Sequence, residues 1–309
     1  MSNVILTRES VMALSNNTKV EGLVFVRSYV EKPTQNNNST YYMGTAEGLG
    51  QIQFKVWQGE AFDEMKTNDY SNKVCHIFAK VNDYNGVKSL VVDKIEPYAG
   101  DDLSMLDFLE KKYDTAALWT SLNTRLKTDC SPEAVEIFNM IMEPIKDRFE
   151  VEFAAVNHHD NCVSGLLAHT SKVAKIAQII KFYPVLLESV TIDALMVGCA
   201  IHDIGKVLEY NNGSISNTGK ILNHLSLGLG LVMPFKDKIV ELKGELFYDT
   251  LLSVIQQHHG EYGEHPKTLA AYLVHLFDCL ESKLTDTSES IQNALTDTVK
   301  CEDFYLRFK

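Results

Sequence analysis

The chain has 309 residues, 45% hydrophobic and 23% charged, a composition that excludes wholesale disorder and leaves room for two globular domains with separate cores. A net charge of −12 speaks against a general polyanion binder, but residues 1–100 hold 10 Lys plus Arg against 11 Asp plus Glu and the remainder 19 against 30, so the front portion is the less hostile to phosphate. No apolar run approaches the ~20 residues of a membrane span, Met1-Ser2-Asn3-Val4 opens no leader, and six cysteines lack any C-x-x-C spacing; the cytoplasm is the expected compartment, with no membrane partner.

Residues 18–98 read as short strands. They are Val20–Val30, Thr40–Ala46, Gln51–Trp57 with strict apolar alternation, Val74–Asn82 and Val87–Pro97, the last pair joined at the hairpin signal Asn85-Gly86. A short helix near Glu60–Lys66 separates the third and fourth, a pattern that suits a five-stranded OB-fold barrel over residues 1–98. On the third strand Phe54 points inward, and Lys55 and Trp57 share the other face, where they could meet a phosphate and a base or serve as edge packing. Beyond the linker Ala99–Asp102 everything reads helical. Asp107–Leu126 and Ser131–Asp147, within a buttress at 99–150, precede a bundle over 151–285 whose helices fall near Ser164–Phe182, Thr191–Glu209, Lys220–Val232, Lys236–Glu241, Tyr248–His259 and Pro266–Leu284. Residues 286–309 form a polar, then aromatic, extension. The expected class is thus multi-domain α and β, a β-barrel followed by an all-α bundle.

Nine of the ten histidines lie between His158 and His275. The doublet His202-Asp203 stands in an otherwise apolar run, where burying an imidazole and a carboxylate is costly unless they share a cation. His169 shares a helix face with Val173, Ile176 and Ile180, and Asp278 one with Val274 and Ala271, so both point toward a core. His224 and the pair His258-His259, which closes a helix before Gly260, are candidate ligands of a second ion. His159, in Asn157-His158-His159-Asp160, either contacts substrate or belongs to a solvated turn. His76, His265 and His275 take structural roles.

His169, His202-Asp203 and Asp278, extended by Gly205-Lys206, resemble the signature of HD-domain metal-dependent phosphohydrolases. The finer pattern, Gly165-Leu166-Leu167-Ala168-His169-Thr170, Tyr183-Pro184, Ile201–Lys206 with Glu209, His258–Tyr262 and Leu276-Phe277-Asp278, is similar to the YhaM-type exoribonucleases over roughly residues 18–285. Ser164 and Ala168 depart from that pattern without removing a ligand, and Glu281-Ser282 stands where a second aspartate is common. The resemblance implies an OB-fold paired with an HD domain, and degradation of single-stranded RNA or DNA from the 3′ end with manganese. Two divalent ions sharing Asp203 would activate water for attack on phosphorus, with Asp203 and Lys206 as the catalytic pair and Lys206 directed at the phosphate. Imidazole beside carboxylate suits manganese, iron, nickel or zinc ahead of magnesium. Hydrolysis of a small cyclic nucleotide or nucleoside triphosphate, and a non-catalytic binding module, are the alternatives; the sequence leaves a homo-oligomer open.

Overall fold

The computed structural model describes residues 4–34, 36, 38–84, 86–155, 160, 162–189, 191–211, 214–292, 298–300 and 305–307. The chain divides into two compact units, Met1–Lys111 and Lys112–Lys309.

The first unit opens with helix α1 (Arg8–Ala13), whose N-cap Thr7 accepts a hydrogen bond from the Ser10 amide. Strands β1 (Lys19–Pro33), β2 (Thr40–Glu47), β3 (Gln51–Val56), β4 (Lys73–Tyr84) and β5 (Val87–Pro97) follow, with α2 (Glu60–Thr67) between β3 and β4. They close a barrel in the order β1-β2-β3-β5-β4. Every pairing is antiparallel except β3 with β5, which runs parallel through Phe54–Leu90 and Lys55–Val91. This is the five-stranded OB-fold barrel expected. Its interior follows the period-2 pattern: Ile52, Phe54 and Val56 are buried with Ile77, Val81, Leu90 and Val92 around them. Bulges between Val26 and Ser28 and between Phe78 and Ala79 supply the bending that closure requires. Asn85 lies outside the described residues; Gly86 carries φ +81°, as the hairpin turn demands.

The expected helix from Asp107 is corrected. A single 3-10 turn spans Met105–Asp107, and Phe108 is fully buried, its carbonyl accepting from the Leu49 amide, so the stretch after the last strand still packs on the barrel. The helix starts only at Thr115, where the Asp114 carboxylate caps the Ala117 amide.

The second unit is a helical bundle: α3 (Thr115–Asp129), α4 (Pro132–Met142), α5 (Lys146–Val151), α6 (Gly165–Ala177), α7 (Pro184–Ser189), α8 (Ile192–Ile201), α9 (Lys206–Glu209), α10 (His224–Val232), α11 (Lys236–Lys243), α12 (Glu245–Gln257) and α13 (Leu269–Gln292). Two-residue strands β6 (Tyr210–Asn211) and β7 (Ser214–Ile215) pair between α9 and α10, and β8 (Thr298–Lys300) pairs with β9 (Tyr305–Arg307) in the extension. The central element is α8, apolar all round and buried from Asp193 to Ile201, as a helix packed on every side must be. Around it α3, α4, α6, α12 and α13 contribute Leu122, Phe138, Leu167, Val254 and Val274 to one core. Asp193 ties three helices: it accepts from the Ser131 amide and hydroxyl at the head of α4, at 2.8 and 2.6 Å, and from Lys243 at the tail of α11, at 2.6 Å. Among the described residues no helix is long and apolar enough to cross a membrane.

Candidate metal centre

The single helix expected over Thr191–Glu209 is two. It ends at Ile201, and His202-Asp203 occupy the turn before α9. The cause is close packing at Gly205, where a Cβ would stand 1.9 Å from the His224 carbonyl oxygen. Only glycine lets α10 approach the turn, and that approach brings His224 to Asp203.

Four imidazoles converge on this turn, each held through Nδ1. His202, the residue closing α8, donates to the Cys199 carbonyl at 2.8 Å. His258, closing α12, does the same to the Ile255 carbonyl at 3.1 Å. His224, at the head of α10, donates to Glu209 at 2.8 Å, and His169, on α6, to Glu281 at 2.6 Å. A ring whose Nδ1–H is so engaged presents its Nε2 to the outside of the hydrogen bond, the arrangement found behind metal-ligating histidines. Here the Nε2 atoms face one another: His169 and His202 at 3.3 Å, His224 and His259 at 3.0 Å.

Asp203 stands between them. Its Oδ2 lies 3.4 Å from His202 Nε2 and 3.6 Å from His169 Nε2; its Oδ1 lies 3.5 Å from His258 Nε2 and 3.6 Å from His224 Nε2. Asp278 adds Oδ1 at 3.1 Å from His169 Nε2. The seven predicted ligand residues therefore lie together, in overlapping groups of His169, His202 and Asp278; His202, Asp203 and His258; and His224, His258 and His259.

The electrostatics have the same cast. Burial drives the proton off His258, and burial with the neighbouring His258 and His224 brings His259 down to about 4, so both are neutral donors. Burial opposes ionisation of Asp203, but Lys206, 2.6 Å from Oδ2, and the facing histidines hold its carboxyl far below the usual range. Burial lowers His169 too, yet Asp278, 3.1 Å from its Nε2, and Glu281 prevail and raise it to about 10. Asp203 Oδ1 and His258 Nε2 are buried without a hydrogen-bond partner. Two such buried acceptors, aimed at each other, are costly on their own and are satisfied together by a cation. The donor set of imidazole nitrogens and carboxylate oxygens fits a divalent transition ion.

Of the remaining predicted residues, Lys206 reaches the site but spends its ammonium on Asp203. His159 lies outside the described residues. Lys55 and Trp57 belong to the barrel unit, where Trp57 is 46% exposed and stacks on Tyr41 with ring centroids 4.7 Å apart. His275 donates to the His258 carbonyl at 2.7 Å and steadies the His258-His259 turn. His76 is buried against Glu21. Sequence reasoning named Glu281 and Glu209 only as positions of the family pattern and missed their role as the carboxylates that orient His169 and His224. A signal for the first was present: Glu281 follows Asp278 by three residues and Phe277 by four, which puts it on the same buried stripe.

Residues 166–283 match the HD-domain family. The chain carries an HD domain. Curated relatives extend the likeness across both units: 3′-5′ exoribonuclease YhaM of Listeria monocytogenes serotype 4b is 26% identical over 86% of this chain and 85% of its own length. The protein of that name from Shouchella clausii is 26% identical over 88% and 86%, and that from Geobacillus sp. WCH70 is 23% identical over 89% and 85%. Over most of its length the chain resembles these YhaM-type proteins, with the HD domain lying in its second unit. Among solved structures, the mitochondrial single-stranded DNA-binding protein Rim1 of S. cerevisiae aligns with 26% of this chain and 96% of its own at 19% identity and TM-score 0.24. A replication protein A heterotrimer bound to single-stranded DNA aligns with 29% and 63% at 14% identity and TM-score 0.22.

Proposed function

We propose that the protein is a metal-dependent 3′-to-5′ exonuclease of single-stranded nucleic acid, RNA first, whose barrel unit captures the strand and whose HD site hydrolyses the terminal phosphodiester. The observation that carries this reading is the shared position of Asp203, one carboxylate oxygen toward His169 and His202 and the other toward His224 and His258. That position suits two ions, held by His169, His202, Asp203 and Asp278 on one side and by Asp203, His224, His258 and His259 on the other. Manganese is favoured, with iron, nickel, zinc and magnesium as alternatives. When bound, such a pair supplies an activated water and polarises the phosphoryl oxygens.

The protein's own groups do the remainder. Glu281, Glu209 and the Cys199 and Ile255 carbonyls hold four rings in place, so little reorganisation accompanies the reaction. Lys206 brings a cationic charge to the side of Asp203, suited to a phosphate as charge builds on its oxygens. In the barrel unit, Trp57 on Tyr41 offers a base a flat apolar ledge, and Lys55, two residues before it, a contact for phosphate.

The test is incubation of 3′- and 5′-labelled single-stranded RNA and DNA with the full chain in manganese, iron, nickel, zinc or magnesium in turn, with and without chelator, beside Asp203→Asn. Progressive shortening from the 3′ end, lost in chelator and in the variant, is expected. Intact strands with every one of the five metals would refute the reading.

A further inference from the structure

The described residues hold a second buried polar cluster, behind His169. Glu281 is 2% exposed and Asp160 fully buried. Glu281 uses both carboxylate oxygens: Oε2 accepts from His169 Nδ1 at 2.6 Å, and Oε1 accepts from the Thr285 hydroxyl at 2.6 Å with Lys172 Nζ 3.3 Å away. The Lys172 ammonium in turn sits 2.8 Å from Asp160 Oδ2, and Asp160 accepts from the Tyr113 hydroxyl. Asp160, His169 and Glu281 come close enough together to suggest another cation site. Lys172 already supplies the positive charge there, so a metal would have to displace it.

We propose that Glu281 is a positioning residue for one half of the metal centre, fixing the His169 ring through Nδ1 and being itself fixed by Lys172 and Thr285. This rests on the two-ion reading above. The chemistry requires a carboxylate at this place. A glutamine has one acceptor oxygen: turned toward His169 it sets its NH2 against the Lys172 ammonium, and turned toward Lys172 it sets its NH2 against His169 Nδ1–H. Either way His169 loses its grip or Lys172 loses one of its two carboxylate partners and keeps only Asp160. Glu209 stands to His224 as Glu281 stands to His169, but on the opposite side of Asp203. The two glutamates therefore act on different ions.

Calorimetric titration of manganese into the chelator-stripped full chain tests this without any substrate. The parent should bind two equivalents. Glu281→Gln should weaken one of them by about 10–100-fold and leave the other as it was, the loss typical of removing an outer-sphere partner. Glu209→Gln should weaken the other equivalent, and the combined variant both. Thr285→Val, which removes one hydrogen bond from Oε1 and keeps the side-chain volume, should show a smaller loss in the same equivalent as Glu281→Gln, and it carries the test if the glutamine variant does not fold. Parent-like affinity for both equivalents in folded Glu281→Gln, or in Thr285→Val where that variant stands in, overturns the proposal, as does a loss by Glu281→Gln and Glu209→Gln in one and the same equivalent. Failure of the parent itself to take up manganese removes the two-ion reading first and this inference with it.

Discussion

Asp203 Oδ1 and His258 Nε2 face each other across 3.5 Å, both buried and neither hydrogen-bonded. The other oxygen of the same carboxylate looks the opposite way, toward His169 and His202. Asp203→Asn should therefore weaken both manganese equivalents, by about 100-fold or more given that outer-sphere changes alone cost 10–100-fold, whereas Asp278→Asn should weaken one. Equilibrium dialysis with metal analysis reads the difference; equal stoichiometry and affinity in both variants would contradict the shared position of Asp203.

Lys206 has two duties that can be separated. In the metal-free chain its ammonium compensates buried Asp203 at 2.6 Å, so Lys206→Met should lower stability by about 3–5 kcal/mol, the cost of leaving a buried charge unpaired. Added manganese supplies the missing charge and should restore most of the melting temperature. Turnover should stay depressed by about 10²–10³-fold, the usual effect of removing one group that stabilises transition-state charge. Thermal melts with and without metal, beside single-turnover rates, check both halves.

Asp193 gives a pH dependence clear of the metal centre. Burial pushes its carboxyl up, but Lys243 and Ser131 outweigh it, and the folded-state value falls below the ordinary one. A depressed carboxyl favours the folded state above its unfolded pKa of about 3.9. The contribution is complete at neutral pH and is lost as pH falls from about 4 through the lower folded value. Asp193→Asn should cost about 1–3 kcal/mol in urea unfolding at pH 7, and the gap from the parent should narrow by pH 3. A gap that widens in acid would reverse the sign of this assignment.

Trp57→Ala should loosen single-stranded RNA by about 1–3 kcal/mol, the worth of one stacked base. Because the ring is half exposed, the melting temperature should move little. Lys55→Gln should flatten the salt dependence of binding without abolishing it. Fluorescence anisotropy at several salt concentrations measures both; undiminished affinity in both variants would remove this face as the capture surface.

The barrel was legible because its strands alternate and its turns announce themselves: Ile52, Phe54 and Val56 alternate into the core as written. The candidate ligands were legible because His169 and Asp278 sit at helical spacing from Val173 and Val274, where a polar group needs a reason. The break at His202–Gly205 was not, since residues 192–204 are apolar on every side except at the buried Asp193 and the site itself, and periodicity carries no boundary there; only the approach of His224 to Gly205 places it. Asp160 was equally hidden. Its φ of +55° and its pairing with Lys172 come from the tertiary packing, not from any local pattern. Glu281 lay between these extremes, readable by its spacing from Asp278 yet masked by the polar run that follows it.

The grip on Nδ1 has a consequence for how such a centre can change. Each ring is clasped by a different neighbour, a helix carbonyl for His202 and His258, a glutamate for His224 and His169. Exchanging His169 or His224 for a carboxylate would strand Glu281 or Glu209 as an acceptor facing an acceptor, so there ligand and clasp must be replaced as a pair, whereas the backbone carbonyls that clasp His202 and His258 cannot be replaced by substitution at all. Drift toward an oxygen-rich, magnesium-preferring cradle thus requires coordinated double substitutions at His169 and His224, and His202 and His258, whose clasps no substitution removes, are the rings of this centre least free to wander.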